Sequence, residues 1–174
     1  MNQSISDDAG PPPPEDVTEL ILRIFRLNGA LLAAGDRLVG ELGLTSARWQ
    51  LLGAIADQEE SLSVAQLARN IGVTRQAVQR IANELEGEDV VAFRPNPRHK
   101  RAQLIELTVR GRSLYQRSLE LQQPWAASLG QGLTVSGVNE ACATLDRLLA
   151  TLNPDTSTDI GPGSAFSKPP EPDE

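Results

Sequence analysis

At 174 residues with 40% hydrophobic side chains, the chain is long enough to bury one core, and an aromatic share of 3% suits an aliphatic, helical interior. One histidine and one cysteine are too few for a structural zinc site or an intramolecular disulfide, so neither a metal nor a cofactor is expected. A net charge of −7, taken as an average, would argue against nucleic acid, and no run of about 18 apolar residues offers a membrane span.

Residues 1–14 hold four consecutive prolines and two aspartates, a composition that cannot bury enough apolar surface to order itself. They read as a solubilising tail with no pattern of a secretory leader, and a cytoplasmic protein is expected. Folding is expected over residues 15–152. Within it, Val17, Leu20, Ile21, Ile24, Leu31 and Leu38 recur at helical spacing and draw an apolar stripe along a first helix. A second helix, Thr45 to about Asp57, carries Trp49, Leu52 and Ile55 toward a core. Trp49 is read as a core residue rather than as the wall of a ligand cavity.

Ser63 through Asn70 reads as a third helix, with a hydroxyl at its start to cap free N–H groups and Val64, Leu67 and Ala68 on one face. It breaks at Ile71-Gly72-Val73. Gly72 supplies the positive φ that a tight turn between two crossing helices requires. Thr74 caps the next helix, where Val78, Ile81 and Leu85 face inward and leave Arg75, Gln76, Gln79, Arg80 and Asn83 outward. Arginine pairs bidentately with guanine O6/N7, and Gln and Asn with adenine N6/N7. Thr74, Arg75, Gln76, Gln79, Arg80 and Asn83 are therefore the candidate base-reading residues of a recognition helix.

Two short β-prone runs follow, Val90 to Phe93 and Leu104 to Leu107. The connection between them, from Arg94 to Arg101, contains two prolines and an asparagine, and half of its eight residues are Arg or Lys. A basic run alone is usually a solvated surface. Beside a helix-turn-helix it reads as a wing, with Arg94, Arg98, His99, Lys100 and Arg101 placed to meet phosphates or the minor groove. Charge distribution agrees: between Arg69 and Arg117 ten Arg or Lys stand against five Asp or Glu, a local +5 inside a chain whose remainder carries −12.

A helix from Val109 to about Gln123 leads away from the wing and is expected to end or kink at Pro124. A last stripe, Val135, Val138, Cys142, Leu145, Leu149 and Leu152, mirrors the first. Both lie outside the winged unit at about residues 45–108, where little of their own subunit can cover them. A homodimer interface is expected through Leu20, Ile24, Leu31, Val138, Leu145 and Leu149, with Cys142 as a small apolar member of the stripe. Residues 153–174, with five more prolines, read as a second, acidic tail. No catalytic residues are expected, because His99 lies in an arginine-rich loop away from any nucleophile or carboxylate pair and no glycine-rich phosphate loop is present.

The run Leu44-Thr45, Leu67-Ala68, Gly72-Val73-Thr74-Arg75-Gln76-Ala77-Val78, Leu85-Glu86, Asn96-Pro97, Arg101-Ala102, Leu107-Thr108 and Gly111 resembles the MarR, or multiple antibiotic resistance regulator, family. The resemblance spans roughly residues 17 to 152. It implies a mainly α fold with a small β-wing, a winged helix-turn-helix joined to N- and C-terminal dimerisation helices. It also implies a homodimeric repressor, occasionally an activator, that binds a pseudopalindromic double-stranded DNA operator and releases it on binding a small, often phenolic, effector. The alternative is a DNA-binding dimer without a small-molecule response, controlled by abundance or by a protein partner. Two positions depart from the family pattern. His99 stands where many members carry an acidic residue, so it cannot orient Arg101 by ion pairing, and Asp89 stands where glycine is common, with the left-handed region open to it at some cost.

Overall fold

The computed structural model describes residues 10–58, 60–99 and 101–153. The expected tails therefore lie outside the described residues at 1–9 and 154–174, as does Lys100 of the wing. Gly10 to Pro13 are exposed and without regular structure, and the first helix, α1 (Pro14–Val39), begins at the last proline of the run. Proline suits that first position, since its missing N–H is one the helix would leave unpaired. Glu15 and Asp16 follow in the first turn and Arg37 lies in the last, each complementing the helix dipole.

A short 3₁₀ turn (Gly40–Leu42) and Gly43, at φ 73°, reverse the chain into α2 (Ser46–Ala56). Thr45 caps α2 by accepting from the Arg48 amide at 3.3 Å. The two helices close on each other at one tight point. The Ser46 hydroxyl donates to the Leu32 carbonyl and its amide to Asp36 Oδ1, both at 2.6 Å. A Cβ on Gly35 would lie 2.5 Å from the Ser46 oxygen, so only glycine admits this approach.

Next come β1 (Leu62–Ser63), α3 (Val64–Asn70), α4 (Arg75–Gly87), β2 (Val91–Arg94), β3 (Leu104–Leu107), α5 (Val109–Leu129) and α6 (Val135–Leu152). The strands form one antiparallel sheet in the order β1-β3-β2, with Val91 opposite Leu107 and Leu62 opposite Ile105. The core gathers Val39, Leu51 and Leu52, Leu67, Val78, Leu85, Val90, Val91 and Ile105 from α1, α2, α3, α4, the turn before β2, β2 and β3, so helix-turn-helix and sheet share one interior. Mainly α with a small β-wing is the observed architecture.

Three details differ from expectation. β1 is too short to leave a periodic signal, and it exists because Leu62 and Ser63 find a partner in β3. The first wing strand starts and ends one residue later than read, at Val91 and Arg94. Pro124 does not end α5, which continues to Leu129 and brings Trp125 against Trp49, ring centroids 6.4 Å apart at 64°. That edge-on contact is a favoured aromatic geometry.

The stripe residues of α1 and α6 are poorly covered within one chain. Leu20 and Ile24 are half-buried, while Leu31, Val138, Leu145 and Leu149 remain 41–44% exposed and α6 buries no residue at all. Cys142 is exposed in the single chain. Among the described residues, no helix is long and apolar enough to cross a membrane.

Candidate nucleic-acid interface

The helix-turn-helix is built from local chemistry. The Ser63 amide and hydroxyl both donate to Gln66 Oε1, at 3.0 and 2.7 Å, which ties down the start of α3. At its end Gly72 takes φ 69°, and the Val73 amide reaches back to the Ala68 carbonyl at 3.0 Å. Thr74 Oγ1 accepts from the Ala77 amide at 3.2 Å and opens α4. Val78, Ile81, Ala82 and Leu85 are buried beneath that helix, which turns Thr74, Arg75, Gln76, Arg80 and Asn83 to the exterior. Gln79 is half-buried at the margin of this row.

The outward residues are not equally free. Arg75 and Gln76, in the first turn, have no side-chain hydrogen bond among the described residues. Further along, Gln79 Nε2 donates to Asn83 Oδ1 at 2.8 Å, and Arg80 Nη1 to Glu84 Oε1 at 2.7 Å. Glu84 offers its other oxygen to Arg48 Nη2 of α2 at 3.3 Å, and Arg48 also grips Glu88 through Nη2 at 2.9 Å and Nη1 at 3.2 Å. Burial disfavours the charge on Arg48, but the hydrogen bonds to Glu88 and Glu84 outweigh it and leave the guanidinium pKa raised. For Tyr115 in α5 burial acts in the opposite direction and raises the pKa, with the nearby Asp57 carboxylate adding to it.

The wing is anchored at its base and exposed at its tip. Glu106 on β3 accepts from Ser61 Oγ at 2.9 Å and from Arg94 Nε at 3.3 Å, so Arg94 lies along the sheet. Arg98 pairs with Glu60 at 3.4 Å. Asn96 Oδ1 accepts from the Arg98 and His99 amides at 2.9 and 3.2 Å, an Asx turn that sets the tip. His99 and Arg101 are exposed. Asp89 takes φ 57°, the one non-glycine residue with positive φ among those described, at the position where the sequence pattern lacked its glycine.

Exposed pairs such as Arg98–Glu60 and Arg80–Glu84 are worth at most about 1 kcal/mol, so a phosphate or a base edge can displace the glutamate. The surface therefore offers two free groups in the first turn of α4, a row of exchangeable polar groups behind them and a basic wing beside them. Arg48, Glu60, Glu84 and Glu106 were not singled out from sequence. Only the Arg80–Glu84 spacing of four residues on one helix is a local signal; Arg94 and Glu106 meet across the hairpin, and the other partners are more than thirty residues apart.

The family model described as the MarR family matches residues 42–102. An uncharacterised protein of Mycobacterium tuberculosis is 40% identical over 102 residues, covering 59% of this chain and 70% of that protein. The transcriptional activatory protein BadR of Rhodopseudomonas palustris is 30% identical over 151 residues, 85% of each chain. Among solved structures, CouR of Rhodococcus jostii bound to p-coumaroyl-CoA superposes with a TM-score of 0.69 at 21% identity, over 92% of this chain and all of that one.

Proposed function

This chain belongs to the MarR family of DNA-binding winged-helix transcriptional regulators, not enzymes, and from that premise we propose that it acts as a homodimeric repressor released from its operator by a small aromatic ligand. The observation that carries the reading is the two-faced α4. Its apolar face is sunk in the core while Arg75, Gln76, Gln79, Arg80 and Asn83 form the outer row beside an exposed basic wing. Arg94, Arg98, His99, Lys100 and Arg101 would supply the wing's contacts to phosphate and minor groove.

The dimer is proposed from the bare apolar faces of α1 and α6, since contiguous apolar surface of this kind marks an association site. Leu20, Ile24, Leu31, Val138, Leu145 and Leu149 are the residues assigned to it. The aromatic class of effector is supported by the ligand of CouR. The direction of control has a second reading: BadR is named an activatory protein, and in that reading the same operator binding raises transcription.

Selection of bound DNA from random duplexes, repeated with aromatic acids and their CoA thioesters, tests the proposal. An enriched inverted repeat that one of these compounds releases is the expected result. Enrichment that no compound reverses would leave a DNA-binding regulator without the proposed effector class, and no enrichment would remove operator binding itself.

A further inference from the structure

The chain Arg48–Glu84–Arg80 couples α2 to the outer row of α4 through a single carboxylate. Glu84 spends one oxygen on Arg80, 2.7 Å away, and the other on Arg48, 3.3 Å away. The two arginines differ in freedom: the Arg80 side chain is 68% exposed and the Arg48 side chain 18%. Arg48 is held in place by two further contacts to Glu88, so it stays with the carboxylates when anything binds at the surface. Arg80 is the exchangeable partner. Its pair with Glu84 has the arginine four residues before the acid, the weaker of the two helical orientations.

Resting on the reading of α4 as the base-reading helix, we infer that Glu84 is a positioning residue for Arg80: it holds the guanidinium back until a base edge offers bidentate pairing, while Arg48 keeps the vacated carboxylate neutralised. Without this hold, a free Arg80 would take any phosphate within reach, and non-cognate duplexes would gain more than the operator does. Without Arg48, release of Arg80 would leave an unpaired carboxylate facing phosphates. One carboxylate thus raises the threshold for Arg80, and one partly buried arginine keeps that threshold low enough to cross.

The test is the ratio of affinities for the selected operator and for duplexes altered one base pair at a time, measured for full-length variants at fixed salt. Arg80→Ala should lower the ratio about tenfold at one base pair in each half-site. Glu84→Gln should lower it about threefold at that same base pair, chiefly by strengthening the altered duplexes, and should have no effect in the Arg80→Ala background. Arg48→Gln should weaken operator binding severalfold, and Glu84→Gln in the same chain should relieve that loss, which a merely structural role for Arg48 would not allow. Thermal unfolding of each variant checks that the fold is retained, and Glu84→Ala serves as the second variant at that site. If Arg80→Ala relaxes discrimination while Glu84→Gln leaves it unchanged or acts additively, the positioning role is overturned and base reading stands. If Arg80→Ala itself changes nothing, both fall.

Discussion

Single residues join the helices of this molecule where contacts allow no substitute. A Cβ on Gly111, in the first turn of α5, would lie 2.0 Å from the Val90 carbonyl oxygen, and Thr108 binds that same oxygen through its hydroxyl at 3.1 Å while accepting from the Gly111 amide at 3.0 Å. The joint fixes where α5 leaves the wing. Gly111→Ala gains about 1 kcal/mol of helix propensity but drives a side chain into backbone, and overpacking of that kind costs about 1–3 kcal/mol or more. The contact is too close to be relieved by a rotamer, so the loss should win. Thermal unfolding is expected to show a lower midpoint for Gly111→Ala, and a raised midpoint would mean the joint is looser than described. In the sequence this glycine enters only as one residue of the family resemblance. Nothing local announces the Val90 carbonyl 21 positions earlier.

The elements were legible in proportion to their periodicity. In α4 the buried positions Val78, Ile81 and Leu85 fall at helical spacing, and the same pattern turns Arg75, Gln76, Arg80 and Asn83 outward, with Gln79 half-buried at the margin. Gly72 was legible from the tight turn it must make between two helices, and Asp89 only through the family resemblance, whose pattern often carries glycine there; both take positive φ. The two-residue β1, the passage of α5 through Pro124 and the pairing of Arg94 with Glu106 were not, since each depends on a partner brought close only by folding. The wing yields a prediction at this scale. Arg101 is exposed at the tip, where a cation can neutralise phosphate. Arg101→Ala should weaken operator and random duplex alike and reduce the slope of log affinity against log salt by about one. A loss confined to particular base pairs with the slope unchanged would reassign Arg101 from backbone contact to base reading.

At the scale of the whole molecule, charge and apolar surface are segregated. The stretch from Arg69 to Arg117, which holds α4 and the wing, carries +5 while the rest of the sequence carries −12, so attraction to phosphate is concentrated on that stretch. The apolar faces of α1 and α6 lie at the two ends of the chain and leave Phe25, Leu27, Val135 and Leu152 among the most exposed large hydrophobics. If these faces pair across a twofold axis, two copies of α4 must meet DNA as a symmetric pair, and half-sites one helical turn apart, about 34 to 36 Å, follow from the geometry. The most direct measurement of this account is protection of guanine N7 from methylation on the selected duplex, in wild type and in Gln76→Ala, Arg75→Ala and Arg80→Ala. The account predicts protected guanines in two major-groove segments related by a twofold axis and about one turn apart, with protection lost at defined positions in the arginine variants. Protection confined to a single segment, or a pattern that none of the three substitutions alters, would contradict a symmetric dimer reading bases through α4.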